Sequence, residues 1–382
     1  MIEIVKSGPL ALVQDLGRPG RQELGIGHSG AADRSSHELA NRLVGNLESA
    51  AGLELTLGGL VARFTHNAVI AVTGADARPR VDERAVDMNS PVHLKAGQTL
   101  HIGQPHTGLR VYLAVRGGID VAEVAGSRST DLLSGLGPPP VKPGQRLPVG
   151  AATCPAPAVD HAPRPPVDAH PVLRVRPGPR DDWFTDRAVE ALFCAEFEVS
   201  ADSNRVAIRL RGPALERATD RELPSEPLVC GAIQVPPDGL PLLFLADHPV
   251  TGGYPVIGVV PKADQPLAAQ ARPGQRLRFK RITAAAPLAL PGPAARNTRW
   301  QWCGYRPVMR GSSSGRPCWP TAASGSGWAS SWYRACGRSG WPSTTAGRSG
   351  PCCTTPTTAA APGGRNNCCR RPRPNGSRCR PS

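Results

Sequence analysis

Apolar residues along this chain fall in short runs separated by dense Gly, Pro, Asn and Asp punctuation, the pattern of a β-rich fold. The runs IEIV, LVARF, AVIAVTG, VHL, TLHIG and RVYLAV predict strands within residues 1–150. LRVRP, FEVS, VAIRLRG, GAIQVP, LPLLFLA, VIGVV and RLRF predict strands within residues 172–283. The opening MIEIVKSGPLALVQD reads as a strand, a turn and a second strand. One helix is expected near 33–44, in DRSSHELANRLV. There Asp33 is the N-cap, Leu39, Ala40, Leu43 and Val44 form an apolar stripe, and Gly45 supplies the stop.

Three phrases recur: KAGQTLHIG from residue 95, KPGQRLPVG from 142 and RPGQRLRFK from 272. Each joins a basic residue and a glycine turn to an apolar run, as a tight reversal feeding a strand requires. The second and third close strand-rich blocks, and between the blocks lies an Ala/Pro-rich stretch suited to a semi-rigid linker. The expected organisation is a β-rich subdomain over 1–150, a linker over 151–171, a β-rich subdomain over 172–283 and an anomalous tail over 284–382.

Composition isolates that tail. The net charge of +15 comes almost wholly from fourteen arginines after residue 283, leaving 31 basic against 30 acidic side chains before it. A near-neutral body does not carry the uniform basic patch of a nucleic-acid binder. Eight of the eleven cysteines and six of the seven tryptophans also lie in the tail, with no helical or strand periodicity. The tail reads as an out-of-frame translation of GC-rich DNA or a disordered basic arm, and it is set aside from the fold. Cys154, Cys194 and Cys230 are scattered thiols that suit a reducing compartment. No leader-like start and no membrane-length apolar run occurs, so a cytoplasmic protein is expected.

Common catalytic signatures are absent: no phosphate loop, no G-x-S-x-G elbow, no H-E-x-x-H and no Met-Lys-Met biotinylation context. His93, His101 and His106 are spread over strands and turns, and no metal site is expected. Four clusters remain. In QDLGRPG, Asp15 and Arg18 lie three apart on a glycine turn, read either as a salt-bridged corner or as a site rim. GHSGAADR, with His28, Ser29 and Asp33, leads into the helix, where amides either receive their own cap or hold an anion or polar carbonyl. GSRSTD offers Arg128, Ser129 and Thr130 for a carboxylate or phosphate, with a structural turn as the alternative. GAIQVPPDG and DHPVTGGYP add Gln234, Thr251 and Tyr254. Together these suggest a cleft shared by the two subdomains.

Read in order, QDLGRPG, SGAAD, LANRLVGN, GLELTLGG, TGAD, YLAVRGGID, GSRSTD, GAIQVPPDG and TGGYPVIGVV resemble the allophanate-hydrolase-subunit-2, or biotin-dependent carboxyltransferase, domain family. The likeness spans about residues 1–283 and leaves the tail without a counterpart. Two departures are a proline-rich GLGPPPVKPGQRLPVG and Ala207 where a glycine is common. The resemblance implies a mainly β fold of two cyclophilin-like β-barrel subdomains with few helices. It implies the role of the C component in an ATP-dependent 5-oxoprolinase, acting with the A and B components, with ATP shared among them. Asp15, Arg18 and Arg128 would then serve the chemistry. His28, Ser29, Asp33, Ser129, Thr130, Gln234, Thr251 and Tyr254 would hold the amide substrate. Two alternatives stand beside this: a carboxyltransferase of the urea carboxylase pathway, using biotin carried on another chain, and a non-catalytic regulator that binds a kinase inhibitor.

Overall fold

The computed structural model describes residues 1–155, 159–163 and 168–282; the reading of 284–382 as an anomalous tail lies outside them. The first half runs through β1 (Ile2–Ser7), β2 (Leu10–Gln14), α1 (Arg34–Leu43), β3 (Gly52–Thr56), β4 (Leu60–Phe64) and β5 (Ala68–Gly74). It continues through β6 (Arg80–Val81), β7 (Arg84–Ala85), β8 (Val92–Leu94), β9 (Thr99–His101), β10 (Arg110–Val115) and β11 (Arg146–Leu147). One antiparallel sheet has the order β11-β1-β4-β9-β6-β7 and the other β2-β3-β10-β5-β8.

Period-two alternation sends one face of each sheet into a common core. Ile2, Ile4, Leu60 and Phe64 meet Ala11, Val13, Leu53, Leu55, Val111 and Leu113 there. Burying each such aliphatic or aromatic side chain contributes roughly 1.5–3 kcal/mol. The second face of the five-stranded sheet is also covered, because Ala40, Leu43 and Val44 at the end of α1 pack on Ala71, Tyr112 and Ala114. That double cover explains why all six residues of β10 are buried. The helix begins as expected: the Asp33 side chain accepts from the Ser36 N–H at 3.0 Å.

The second half comprises β12 (Val172–Pro177), α2 (Asp186–Cys194), β13 (Glu196–Val199), β14 (Ala207–Arg211), β15 (Glu226–Pro227) and β16 (Ala232–Gln234). β17 (Leu242–Phe244), β18 (Thr251–Gly252), β19 (Val256–Val259), α3 (Gln265–Ala269) and β20 (Arg276–Arg281) complete it. Seven strands close a barrel in the order β12-β19-β16-β17-β14-β13-β20, and β15 and β18 form a separate ribbon. Leu173, Phe197, Ile208, Leu243, Ile257 and Phe279 fill the barrel. The mainly β reading with few helices therefore holds. α2 and the five-residue α3, however, are not among the predicted elements; of these, α2 is the longer. It has a Thr185 cap but buries only Ala188 and Leu192 from its nine residues, too narrow a stripe to stand out in sequence.

The recurring phrases fold alike. In each, the glycine (Gly97, Gly144, Gly274) has φ between 81° and 89°, where an L side chain is strained. The following glutamine then reaches back: Gln98, Gln145 and Gln275 accept at Oε1 from the N–H of Lys95, Lys142 and Arg272, at 2.8, 3.2 and 3.0 Å. The second and third turns launch the last strand of each half toward that half's first strand. Leu147 pairs with Ile2, and Arg278 pairs with Val172 in a parallel ladder that closes the barrel.

Candidate functional site

The glycine-rich stretch after β2 is a loop pinched at its base. Gly17 has φ 84°, and a Cβ there would lie 2.4 Å from the His28 carbonyl oxygen. Gly30 has φ 91°, and its Cβ would meet the Gly17 nitrogen at 2.8 Å. Only residues without side chains permit this approach. The Arg18 N–H donates to His28 O at 2.7 Å and the Ala31 N–H to Asp15 O at 2.9 Å, which staples the loop shut.

Asp15 organises the neighbouring 127–129 turn. Its carboxylate accepts from Ser127 Oγ at 2.6 Å, Ser129 Oγ at 2.5 Å, the Arg128 N–H at 2.6 Å and the Gly17 N–H at 2.8 Å. Arg18 is buried and donates to the carbonyls of Val124 at 2.9 Å and Ser129 at 2.5 Å, while its Nη1 has no partner. The salt-bridged-corner reading of Asp15 and Arg18 thus gives way to two separate anchors on one turn: the carboxylate collects its hydroxyl and amide donors, and the guanidinium its carbonyls. Arg128 points outward, 31% exposed at the side chain, and pairs with Glu123 at 2.5 Å and Asp120 at 3.2 Å. Thr130 Oγ1 donates to Pro138 O at 2.8 Å.

Beneath this loop lies a buried ionic network that joins the two halves. Arg205 is 2% exposed and forks onto Asp247, with Nε and Nη2 each donating at 2.9 Å. It also donates to Glu54 and, at 2.6 Å, to Gly30 O. Glu54, 1% exposed on β3, accepts further from the Tyr112 hydroxyl at 2.8 Å and the Ala32 N–H at 2.9 Å. Arg110 Nε approaches Glu54 to 3.5 Å, a charge contact without hydrogen-bond alignment. Burial by itself would raise the Glu54 carboxyl; the Arg205 and Arg110 charges outweigh it and hold the group below its ordinary value. Burial also opposes the Arg205 charge, but Glu54 and Asp247 overcome it and raise the guanidinium further. Gln270, beyond α3, donates to Asp33 at 2.7 Å and to Arg110 O at 2.9 Å, binding the helix cap to the second half.

The network presents polar groups to the loop above it. Ser29 is held at φ 51° and donates to Asp247 at 2.7 Å and Thr130 O at 3.3 Å. A left-handed serine costs energy and persists only where its surroundings enforce it. Asp247 also accepts from the Leu132 N–H at 3.2 Å. Two imidazoles flank this point. His28 Nδ1 lies 3.0 Å from Ser29 O and His248 Nδ1 lies 2.8 Å from Pro249 O. A carbonyl partner places the proton on Nδ1 and leaves Nε2 as an acceptor. Burial, with the His28 charge adding to it, lowers His248 below its ordinary value despite Asp247 and Asp131. Gly27 lies between them, its Cβ direction 3.4 Å from His248 O and 3.6 Å from an Asp131 carboxylate oxygen.

The structure therefore brings Asp15, Arg18, His28, Ser29, Asp33, Ser129 and Thr130 into one assembly, with Arg128 at its outer edge. It does not add Gln234, Thr251 and Tyr254 in the expected way. Gln234 is buried and donates to Tyr254 O at 2.7 Å; Thr251 is exposed in the β15–β18 ribbon. Tyr254, 43% exposed, lines a groove of about 760 Å³ built wholly from residues 214–254. The junction is reached from the second half by Arg205, Asp247, His248 and Gln270 instead; Asp247 and His248 open the phrase DHPVTGGYP, from which the sequence points to Thr251 and Tyr254, and it does not single out Arg205 or Gln270. Glu54 carried a readable signal: in LEL the flanking leucines fill the core, so the glutamate must lie on the opposite face, under α1.

Residues 24–281 match the family described as Carboxyltransferase domain, subdomain A and B. The chain is 39% identical over 290 residues to the 5-oxoprolinase C subunit of Escherichia coli K12, covering 73% of this chain and 90% of that one. It is 33% identical over 308 residues to urea amidolyase of Lachancea kluyveri, covering 74% of this chain but 17% of that protein. The crystal structure of the K. lactis urea amidolyase superposes with a TM-score of 0.69 at 30% identity, over 74% of this chain and 19% of that one.

Proposed function

The chain belongs to the carboxyltransferase-domain family of subdomains A and B, and from that premise we propose that it acts as the C component of an ATP-dependent 5-oxoprolinase. The observation that carries this reading is the 39% identity to the bacterial 5-oxoprolinase component, reaching 90% of that relative's length. The substrate would be a small lactam, engaged at the junction between the pinched loop and the Arg205 network. The A and B components, expected partners in a cytoplasmic complex, would complete the site.

The residues offered for phosphate binding do not fit a nucleotide on this chain alone. The start of α1 is occupied by Asp33's own carboxylate, and Arg128 is matched by two acids. Arg18 retains an unpartnered Nη1, but it is buried beneath the loop. The nucleotide is therefore assigned to partner surfaces. What the chain supplies is a neutral base and a fixed scaffold. Activating a lactam at its carbonyl oxygen releases the N–H proton, and His248 Nε2 is the acceptor offered here. Its lowered proton affinity keeps the ring neutral at physiological pH. Asp15 and Arg18 act as positioning residues, holding the 127–129 turn against the loop.

Co-expression with the A and B components, followed by an assay of ATP-dependent 5-oxoproline cleavage, tests the proposal. Activity is expected only with all three chains, and His248→Gln is expected to lower kcat by about 10²-fold, the scale of a lost general base. Cleavage that proceeds equally without this chain overturns it. A second reading, transfer of a carboxyl group to an amide from biotin carried elsewhere, is favoured by the structural likeness to urea amidolyase. Carboxylation of urea by the same complex would select it.

A further inference from the structure

The PDG turn of GAIQVPPDG and the GY of DHPVTGGYP, unused at the junction, line one groove of about 760 Å³ together with residues 214–217 and 220–223. None of its lining residues belongs to the junction. Gly239 has φ 75°, and a Cβ there would lie 2.9 Å from Ala214 Cβ, so the turn closes on that segment only as glycine.

Arg217 is held in this groove by two anchors. Its Nη2 donates to Val235 O at 2.7 Å, and its guanidinium carbon lies 5.8 Å from the centroid of the Tyr254 ring, within cation–π range. Gln234 fixes the same tyrosine by donating to Tyr254 O at 2.7 Å. Arg217 Nε is buried without a partner, which leaves Nη1 as the donor still open to a ligand. The side chain is half-buried, yet it forms no ion pair among the described residues. A partly desolvated cation without a counterion is costly. The clamp therefore fixes a planar guanidinium while leaving its charge unanswered.

Five further charged side chains line the groove: Arg221 and the acids Glu216, Asp220, Glu222 and Asp238. The Arg221 guanidinium lies 5.1 Å from the Trp183 ring centroid, and Asp238 accepts from the Leu240 N–H at 3.0 Å. None of the six forms an ion pair among the described residues. Four carboxylates against two guanidiniums leave a surplus of two negative charges. A wholly anionic ligand would be repelled by that surplus, and a wholly cationic one would leave Arg217 without its counterion. A ligand with one carboxylate and more than one ammonium group answers both demands. At water's share of roughly 30 Å³ per molecule, the space admits about 25 non-hydrogen atoms, roughly a tripeptide.

We propose that this groove binds a free, short basic peptide, whose terminal carboxylate accepts from Arg217 Nη1 while its ammonium groups meet the groove's acids. The site is additional to the junction and does not depend on the reaction assigned there.

Dilysine and its C-terminal amide are suitable probes. The amide carries the greater positive charge, so simple attraction to the acids favours it, whereas capture of the carboxylate by Arg217 favours dilysine. Methyl NMR titration of the full chain, read at Leu215 and Leu223, is expected to show saturable binding of dilysine about fivefold tighter than of the amide, or more. Arg217→Gln, shown by circular dichroism to be folded, is expected to bring the two affinities within about twofold. The double variant Asp220→Asn, Glu222→Gln, at two exposed positions, is expected to weaken both probes and to keep the preference for dilysine. Absence of saturable dilysine binding overturns the proposal. So does an amide that binds as tightly as dilysine, a preference that survives in folded Arg217→Gln, or a double variant that binds both probes as the unmodified chain does.

Discussion

Replacing Glu54 by glutamine removes one charge from the seam while conserving shape. Glu54 neutralises two buried guanidiniums, Arg205 by direct hydrogen bond and Arg110 at 3.5 Å, and also accepts from Tyr112 and Ala32. Asp247 remains to pair with Arg205, but Arg110 loses its carboxylate and the new amide N–H faces donors. Breaking one partner of a buried ion pair costs roughly 3–5 kcal/mol. At about 2 °C per kcal/mol for a chain of this size, Tm should fall by roughly 6–10 °C. The pH dependence sharpens the test. The folded pKa of Glu54 lies below its ordinary value of 4.5, so its stabilisation is complete above that value and is lost as pH falls through the folded pKa. Circular-dichroism melts of wild type and Glu54→Gln should therefore differ most at neutral pH and converge in acid. A neutral-pH difference below 2 °C, or one that stays constant into acid, would refute the account of Glu54 as the seam's essential countercharge.

Three further outcomes are expected. Burial lowers His248 below 6.5, so the unfolded chain binds more protons than the folded one and stability declines as pH falls from 6.5; His248→Gln should reduce that slope in Tm, and an unaltered slope would assign the titration to other groups. Gly17→Ala places a Cβ 2.4 Å from His28 O at φ 84°; beyond the roughly 1–3 kcal/mol of a strained backbone, it should open the loop and accelerate tryptic cleavage at Arg21, whereas unchanged proteolysis would mean that the pinch does not close the loop. The Cys230 thiol is pushed up to about 12 by burial; iodoacetamide at mildly alkaline pH should label exposed Cys194 and spare Cys230, and equal labelling by peptide mass spectrometry would show that the barrel opens there.

The longer strands were mostly legible because each combines an apolar run with turn residues that end it, and the Asp33 cap marked the start of α1; the two-residue strands β6, β7, β11, β15 and β18 are too short to show a pattern. β3 escaped because Glu54 interrupts its apolar run, and α2 because its buried stripe is two residues wide. The loop candidates around Asp15, His28 and Ser129 were found through their glycines, which advertise close backbone approach. Arg205, Asp247, Arg110 and Gln270 were not, since their meaning depends on partners up to 237 positions away. Arg205, one of three arginines in NRVAIRLRGP, has the appearance of a surface residue until Glu54 and Asp247 are placed beside it. Asp15 and Arg18 show the reverse difficulty: spacing put them on one turn, but only coordinates reveal which donors and acceptors each one meets.

The pairing of each half's last strand with its first has a consequence for the order in which the chain can fold. Neither sheet system can be completed until its final Gln-latched turn has formed, since Leu147 must return to Ile2 and Arg278 to Val172. These are distant contacts, which form slowly. During synthesis the first half can close once residues 146–147 have emerged, well before β20 exists. It would then hold Glu54 and Arg110 at a surface still open to water, waiting for Arg205, Asp247 and Ala269. Because Glu54 and Arg110 find their second-half partners only in Arg205 and Ala269, the seam cannot be completed before those residues are in place.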